Sequence, residues 1–280
     1  MTMKIYRYFG LVLLVAFSIS CEKNVIEYPT TPINEMAEFQ LHYFVPVVSG
    51  SANNITRVEV NGQLYANEKA PLATYNAIPS GTTGKFYAVS PGSVNFKLYQ
   101  GSAGDNLVYD QNITLTAGKQ NIFVHDFAQP AIVFDNGYPY TARVTMDTDS
   151  VAWIKFYHFL YETAGVTNDT RIQYQYIDPD TDESVNIGEP VSFGQTTGWQ
   201  PVKVIKAVFN SSGSRLIQLR IKVVDAGGNI TGDLQVRNSA GNFVNYTGSA
   251  TLFIGRRYHH IMAGYRAAVP ISSVRVFTAL

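Results

Sequence analysis

The sequence predicts an all-β protein with two antiparallel β-sandwich domains in tandem. Apolar residues alternate with polar ones along many short stretches, and turn residues separate these stretches. Five short patterns also recur in the same order in the second half of the chain. No stretch after residue 20 has a sustained apolar period of 3.6 residues, so helices are not expected. Many short strands separated by turn residues are typical of sandwiches.

The chain begins with a secretory signal peptide. Lys4 and Arg7 precede an apolar run at residues 11–17, and small residues then lead to Cys21, the only cysteine. The run is shorter than the roughly 20 residues that a spanning helix needs, and an exposed free thiol would be a liability in an oxidising compartment. We therefore predict a lipoprotein signal peptide at residues 1–20 and an acylated Cys21 that anchors the protein in the outer membrane. The sequence does not determine whether the anchor lies on the surface or the periplasmic face of that membrane.

Composition narrows the classes of partner. A hydrophobic content of 46% is enough to build cores, so wholesale disorder is excluded. Without Lys4 and Arg7, 19 basic residues stand against 21 acidic ones. There is no basic field to attract nucleic acid, so the expected partners are the lipid bilayer, through Cys21, and a glycan or an envelope protein.

Two strand-rich domains follow a polar tether at residues 21–36, where Pro29 and Pro32 favour extended backbone. In the first domain, residues 37–127, Asn61 and Gly62 mark a type I′ hairpin between alternating stretches. A linker with clustered turn residues is predicted at 128–151.

The second domain covers residues 152–280. We expect Trp153 in its core, a turn at 225–229 after a long alternating strand, and an edge strand at 274–277.

An internal repeat supports this division. The matching segments are 37–44 with 152–159, 56–58 with 170–172, 71–72 with 190–191, 88–93 with 207–214, and 114–119 with 251–256. Their order is preserved and their offset grows late in the chain, so the second copy is predicted to have longer hairpins. The alternative is that all antiparallel sandwiches share such strand and turn patterns.

The signal peptide, the aromatic residues of the first strand, and the turns at 89–92, 117–119 and 255–258 resemble Bacteroidetes cell-envelope lipoproteins with tandem domains of unknown function. The resemblance covers most of the mature chain. It implies immunoglobulin-like sandwiches on the cell envelope, and it implies no catalytic residue.

An acidic loop is the candidate metal site. Asp178, Asp180 and Asp182 have the alternating spacing with which carboxylates surround calcium, and Glu189 is the twelfth residue counted from Asp178, as in an EF-hand loop. Glu183 occupies the position of the turn glycine of an EF-hand, and the flanks are predicted strands, so an EF-hand is excluded. The alternative is a solvated turn. No other cofactor is expected.

Trp199 is the candidate ligand-binding residue. It lies in a loop-like segment at 194–201, where its ring could stack on the apolar face of a sugar. The alternative is that Trp199 pins a long hairpin onto the sandwich. Tyr65, Tyr75 and Tyr87 could stack on sugars in the same way.

The sequence has no nucleophile elbow, no zinc-protease motif and no phosphate-binding glycine loop. His259 and His260 would point to opposite faces of a strand and could not chelate one metal. We therefore predict a non-enzymatic binding or structural module of the cell envelope that contacts a glycan or a protein. The alternatives are an envelope glycan hydrolase with paired carboxylates and a pilus-type or adhesin subunit that accepts a strand at a sheet edge.

Overall fold

A computed structural model describes residues 35–80, 84–137, 151–204 and 213–279. The predicted signal peptide, Cys21, most of the tether and residues 138–150 of the predicted linker lie outside these ranges. The described residues form strands and turns with one short 3₁₀ turn, Ser51–Asn53, so the all-β prediction is confirmed. Within those ranges, no helix has the length and apolarity to cross a membrane.

Among the described residues, nine strands lie in the first half of the chain and twelve in the second. The first nine are β1 Ala37–Tyr43, β2 Ile55–Val60, β3 Gln63–Ala66, β4 Asn76–Ile78, β5 Tyr87–Val89, β6 Gly92–Gln100, β7 Asn106–Leu115, β8 Gly118–Val124 and β9 Ile132–Asp135. The others are β10 Val151–Thr163, β11 Val166–Thr167, β12 Arg171–Ile177, β13 Ser184–Asn186, β14 Thr196–Lys203, β15 Ser214–Val224, β16 Ile230–Asp233, β17 Gln235–Arg237, β18 Phe243–Asn245, β19 Thr247–Phe253, β20 Arg257–Tyr265 and β21 Ser273–Ala279.

The first half folds into two sheets with a shared core. Sheet I has the order β4-β1-β8-β9, and β5 pairs with β1 on the same side as β4. Sheet II has the order β3-β2-β6-β7. Apolar side chains from both sheets meet between them, among them Phe39, Leu41, Val58, Phe96, Ile113 and Ile122. Burial of these side chains removes apolar surface from water and holds the two sheets together.

The second half repeats this plan. Sheet III has the order β11-β10-β20-β21, and β14 also pairs with β10. Sheet IV has the order β13-β12-β15-β16, with β19 also on β15, and β17 and β18 form a separate ribbon. The second core contains side chains from both sheets, among them Ile154, Phe156, Tyr174, Ile221, Leu252 and Met262.

Equivalent strands pair in equivalent ways in the two halves. β1 runs parallel to β8, and β10 runs parallel to β20. Ile55 on β2 bridges Leu72, and Ile172 on β12 bridges Val191. The sequence repeat aligns Leu72 with Val191, whereas Ile55 lies three residues before Val58, the counterpart of Ile172. The prediction of purely antiparallel pairing is wrong at the two parallel pairs. Residue alternation reports which face a side chain takes and carries no information about strand direction.

Strand β1 is buried on both faces. Phe39 and Leu41 point into the first core, while Gln40 and His42, predicted to face water, are 1% and 0% exposed. Their face of sheet I packs against sheet III. Strand β10 is covered in the same way, which explains its nearly continuous run of apolar and aromatic residues, because a strand buried on both faces needs few water-facing residues.

Sheets I and III meet in a third apolar cluster, here called the junction. Its buried members are Phe44, Tyr75, Ala77, Phe123, Tyr157, Phe159, Ile261, Ala263 and Phe277. The ring of Phe123 lies 5.0 Å from the ring of Phe159 in a stacked arrangement, and 5.0 Å from that of Tyr157. The junction therefore fixes the two halves against each other through close aromatic packing.

Several local predictions can be compared with the structure. Asn61 and Gly62 have φ values of 50° and 78°, as a type I′ hairpin requires, so that turn is confirmed. The edge strand at the end of the chain is confirmed as β21. Residues 132–135 of the predicted linker form β9, an edge strand of sheet I. Trp153 is half-buried and not in the core, because its neighbours Ala152 and Ile154 take the core face.

Candidate binding groove

The acidic loop is a tight hairpin tip between β12 and β13. The backbone N–H of Asp180 donates to the Asp178 carboxylate at 2.8 Å, and that of Asp182 donates to the Asp178 carbonyl at 2.9 Å. The ammonium of Lys203 lies 3.2 Å from Asp178 and 3.0 Å from Asp180. The Asp180 N–H bond, followed by Lys203, lowers the pKa of Asp178. Protein cations therefore neutralise the two carboxylates.

The predicted calcium ligands are not all brought together. Glu189 follows β13 and lies near the bridge between Ile172 and Val191, at the start of β12, whereas Asp178 follows the end of β12. The start and the end of β12 are about five residues apart along the strand, so roughly 16 Å separates Glu189 from Asp178. The described ranges contain no group of three His, Cys, Asp or Glu side chains that could hold a metal. Calcium binding at this loop stays a prediction.

Trp199 lies on strand β14 and not in a loop. It is half-buried, it pairs in register with Lys155 on β10, and its ring lies 5.0 Å from that of His259. Its indole N–H donates to the backbone carbonyl of Asn136 at 2.6 Å. Asn136 follows β9 in the first half, so this bond joins the two halves. These contacts favour the pinning role over sugar stacking.

A series of hydrogen-bonded polar side chains continues from the contact of Trp199 into the junction. The side-chain amide of Asn121 donates to the Asn136 side chain at 3.1 Å, and the other end of Asn121 bonds to His42 at 3.1 Å. Next to this series, the ammonium of Lys155 donates to the carbonyl of Asp135 at 2.6 Å. Burial lowers the pKa of Lys155 to about 8. The bonds position the aromatic faces of the junction and satisfy polar groups that are cut off from water.

Every histidine of the chain is buried. His42 lies 6.5 Å from His259 across the junction and stacks on Phe123 at 4.3 Å. Burial lowers the pKa of His42 to about 4, and it lowers the pKa of His259 well below its usual value. The imidazoles are therefore neutral near pH 7 and act as packing groups.

A groove opens where the edge of sheet I meets the edge of sheet II. Its volume is about 610 Å³, within the range of roughly 300–1,000 Å³ that is usual for small-molecule sites. The lining residues are Tyr65, Ala70, Pro71, Asn76, Ala77, Ile78, Pro79, Ser80, Lys85, Phe86 and Tyr87. They come from edge strand β3 and the two residues Ala70 and Pro71 after it, from strand β4, from the described residues between β4 and β5, and from the first residue of β5.

Three aromatic side chains supply the apolar surface of the groove. Tyr65 and Tyr87 are half-buried, their rings lie 4.7 Å apart at 72°, and both pack against the buried ring of Phe39 at under 6 Å. Phe86 is half-buried beside them. Because Phe39 supports both tyrosines, their orientation is set before a ligand arrives, which reduces the entropy cost of binding.

Gln40 fixes the other wall. Its side-chain amide is buried and donates to the carbonyls of Pro79 at 3.1 Å and Lys85 at 3.5 Å. Pro79 directly follows β4, and Lys85 lies two residues before β5. One buried side chain on β1 therefore sets the separation between the end of β4 and the start of β5.

Sequence reasoning found part of this site. Tyr65 and Tyr87 are brought together, whereas Tyr75 lies 7% exposed in the junction, with its ring 5.7 Å from that of Phe44. Phe86 was missed, although its place beside Tyr87 in an aromatic pair was a usable signal. Gln40 left no such signal, because its partners are 39 and 45 residues away in sequence.

The sequence was compared with protein-family models and with curated proteins, and neither comparison gave a match.

Proposed function

We propose that this protein is a non-enzymatic carbohydrate-binding module of the cell envelope, built from two immunoglobulin-like β-sandwich domains in tandem and lipid-anchored to the outer membrane through Cys21. The groove beside Tyr65 and Tyr87 is its ligand site. The observation on which this depends is the pair of half-buried tyrosines held at 4.7 Å by Phe39.

The chemistry of the groove suits a sugar. The apolar face of a pyranose ring stacks on an electron-rich aromatic face, and its hydroxyls need hydrogen-bond partners at the edge of the stack. The groove offers Tyr and Phe faces together with exposed Asn76 and Lys85. A hydrolase would need two carboxylates at a spacing of roughly 5–10 Å. The described lining residues include no Asp or Glu, which favours binding over hydrolysis.

The parallel pairing plan supports the tandem arrangement. Duplication of one sandwich would give both halves a first strand parallel to a late strand, which is the pattern of β1 with β8 and β10 with β20. The envelope location depends on the signal peptide and on Cys21. The close packing of the junction would hold the second half fixed against the first half, which binds the glycan.

A glycan-array screen of the full chain in mild detergent tests the function. We expect selective binding that Tyr65→Ala and Tyr87→Ala each weaken at least about tenfold, because truncating an aromatic that contacts a ligand costs about 1.4 kcal/mol or more. Tyr99→Ala is the matched control, since Tyr99 is a half-buried tyrosine on β6 of sheet II that does not line the groove. Thermal unfolding checks that each variant is folded. A blank array, or equal loss in all three variants, would contradict the proposal.

A further inference from the structure

The outer face of sheet IV, in the second half of the chain, carries a separate pocket. Its volume is about 410 Å³, within the usual range of small-molecule sites. None of its lining residues lines the groove. The lining residues come from strands β15 and β19 and are Leu216, Gln218, Leu219, Arg220, Thr247, Gly248 and Ser249.

Strand register brings the polar side chains of this pocket together. Gln218 lies directly opposite Ser249, and Arg220 lies directly opposite Thr247. Their neighbours along the two strands belong to the second core and include Ile217, Leu219, Ile221, Ala250 and Leu252. Because successive residues of a strand face opposite sides, the four polar side chains share the outer face. Opposed residues of an antiparallel pair have Cβ atoms roughly 5 Å apart, so one small ligand can contact the Arg220 guanidinium and both hydroxyls.

The polar groups of this pocket have no partner of their own in the described part of the chain. No ion pair there includes Arg220, and none of the four side chains makes a hydrogen bond there. Gln175, the register partner of Arg220 on β12, is 5% exposed and has a side-chain oxygen that accepts no hydrogen bond from a described residue. The guanidinium leaves even this neighbouring acceptor unused, so its donors are available to a ligand.

The corresponding strands of the first half show a contrast. β15 and β19 occupy in sheet IV the places that β6 and β7 occupy in sheet II. On sheet II, Lys97 of β6 pairs with Asp110 of β7 at 3.4 Å, and the Asn95 amide donates to the same carboxylate at 2.9 Å. The described lining of the pocket on sheet IV contains no Asp or Glu. A carboxylate from a ligand can therefore supply in the second half what Asp110 supplies in the first.

We propose that this pocket is a second binding site and that its ligand is an acidic sugar, a uronate. Arg220 binds both oxygens of the carboxylate, since the planar guanidinium donates two parallel hydrogen bonds to such a group. The side chains of Gln218, Thr247 and Ser249 both donate and accept hydrogen bonds, as sugar hydroxyls do. An apolar carboxylate would leave these groups without partners. The inference goes beyond the proposed function, because it concerns a different surface of the molecule.

The test is an NMR titration of the full chain in detergent. Oligogalacturonate, alginate and hyaluronan fragments are each titrated beside the carboxyl-reduced form, and sodium acetate serves as the free carboxylate. For at least one fragment we expect shifts of the Arg220 Nε–H signal and of the Gly248 and Ser249 amide signals. We expect its Kd to be at least about tenfold below the Kd of its reduced form and of acetate, and to rise in 0.5 M NaCl, where charges are screened.

Variants connect the binding to Arg220. Arg220→Gln should raise the Kd of the acidic fragment at least about tenfold, and Arg220→Lys should recover only part of the loss, because an ammonium cannot reproduce the two parallel bonds. Arg215→Gln is the matched control. It removes the same charge from the same strand, outside the pocket lining, and should leave the Kd within about twofold of the native value.

The possible outcomes separate this inference from the proposed function. Equal binding of acidic and reduced forms would overturn the carboxylate assignment. Acetate that binds as tightly as the fragment would overturn the sugar and leave a site for a free anion. If no fragment shifts the Arg220 signal, the second site is wrong. The groove is decided separately, by the Tyr65 and Tyr87 variants on the glycan array.

Discussion

The junction and the groove are both built from aromatic side chains that pack on strand β1, and they differ in what covers those side chains. In the junction, Phe123 stacks on His42 and is covered by Phe159 from the second half. In the groove, Tyr65 and Tyr87 pack on Phe39 and keep part of their surface in water. The same residue types hold the two halves together where they are covered, and where they are exposed we propose that they bind the ligand. Exposure, and not composition, separates the two roles.

The largest expected effect comes from a matched pair of Phe→Ala substitutions. Phe123→Ala empties a fully buried site and should lower the free energy of unfolding by about 3–5 kcal/mol. Phe86→Ala removes a half-buried ring and should cost about 1 kcal/mol. Denaturant unfolding measures both losses of free energy. In glycan titration we expect the reverse order, with a larger loss of affinity in Phe86→Ala than in Phe123→Ala. Equal destabilisation would remove the distinction between the two regions.

Acid should weaken the junction. The pKa of His42 is about 4 in the folded protein and about 6.5 when unfolded, so the unfolded chain binds more protons between these values. Stability is full above about pH 6.5 and falls as the pH drops towards 4, by up to about 3 kcal/mol for His42 alone. His259, which faces His42, adds to the loss in the same direction. The measurement is denaturant unfolding at pH 7.5, 6 and 5, with His42→Phe expected to reduce the slope and not to abolish it, because burial also lowers the pKa of His158 to about 4 and of His260 to about 3. An unchanged slope in that variant would show that His42 does not titrate on unfolding.

A substitution at Trp199 further tests the difference between the junction and the groove, since the sequence predicts Trp199 as a ligand-binding residue. Trp199→Phe keeps a ring and removes the bond to the Asn136 carbonyl, so we expect a loss of about 1.5 kcal/mol in unfolding free energy. Glycan affinity should stay within about twofold of the native value. A tenfold loss of affinity in a folded variant would move the site from the groove to Trp199.

The smallest effect is expected at Gln40. Gln40→Met keeps the side-chain volume and removes both bonds to the groove wall, at a cost of about 1 kcal/mol. Glycan affinity should fall severalfold, because the Pro79 and Lys85 ends of the wall lose their common anchor. Gln120→Met is the matched control. It removes a bond from the Thr116 backbone N–H on the same sheet and should leave the affinity unchanged.

Much of the fold was predictable from local patterns. Alternation identified the strands, and the Asn61-Gly62 pair specified its hairpin through two positive φ values. The parallel pairing of β1 with β8 was not predictable, because strand direction depends on contacts about 80 residues apart. The burial of His42 was missed for a related reason. Its cover comes from Phe277, more than 200 residues away, and the local pattern shows only a polar residue between apolar ones.

The candidate site was predictable only in its residue types. Tyr65, Tyr75 and Tyr87 are predicted from the sequence as stacking groups; Tyr65 and Tyr87 do meet, and their stacking on a sugar stays a prediction. Tyr65, Tyr75 and Trp199 look equally suitable in the sequence, however, and the structure covers Tyr75 and bonds Trp199 to the first half. Tertiary packing, which sets exposure, is the information that the sequence pattern lacks.

The most direct test of the account is to map the ligand contacts by NMR, using the full chain in detergent and the tightest oligosaccharide from the array. The account predicts shifts in the ring and amide signals of Tyr65, Phe86 and Tyr87, with the signals of Trp199 and Phe123 unmoved. Shifts centred on Trp199, with the groove signals unchanged, would contradict it.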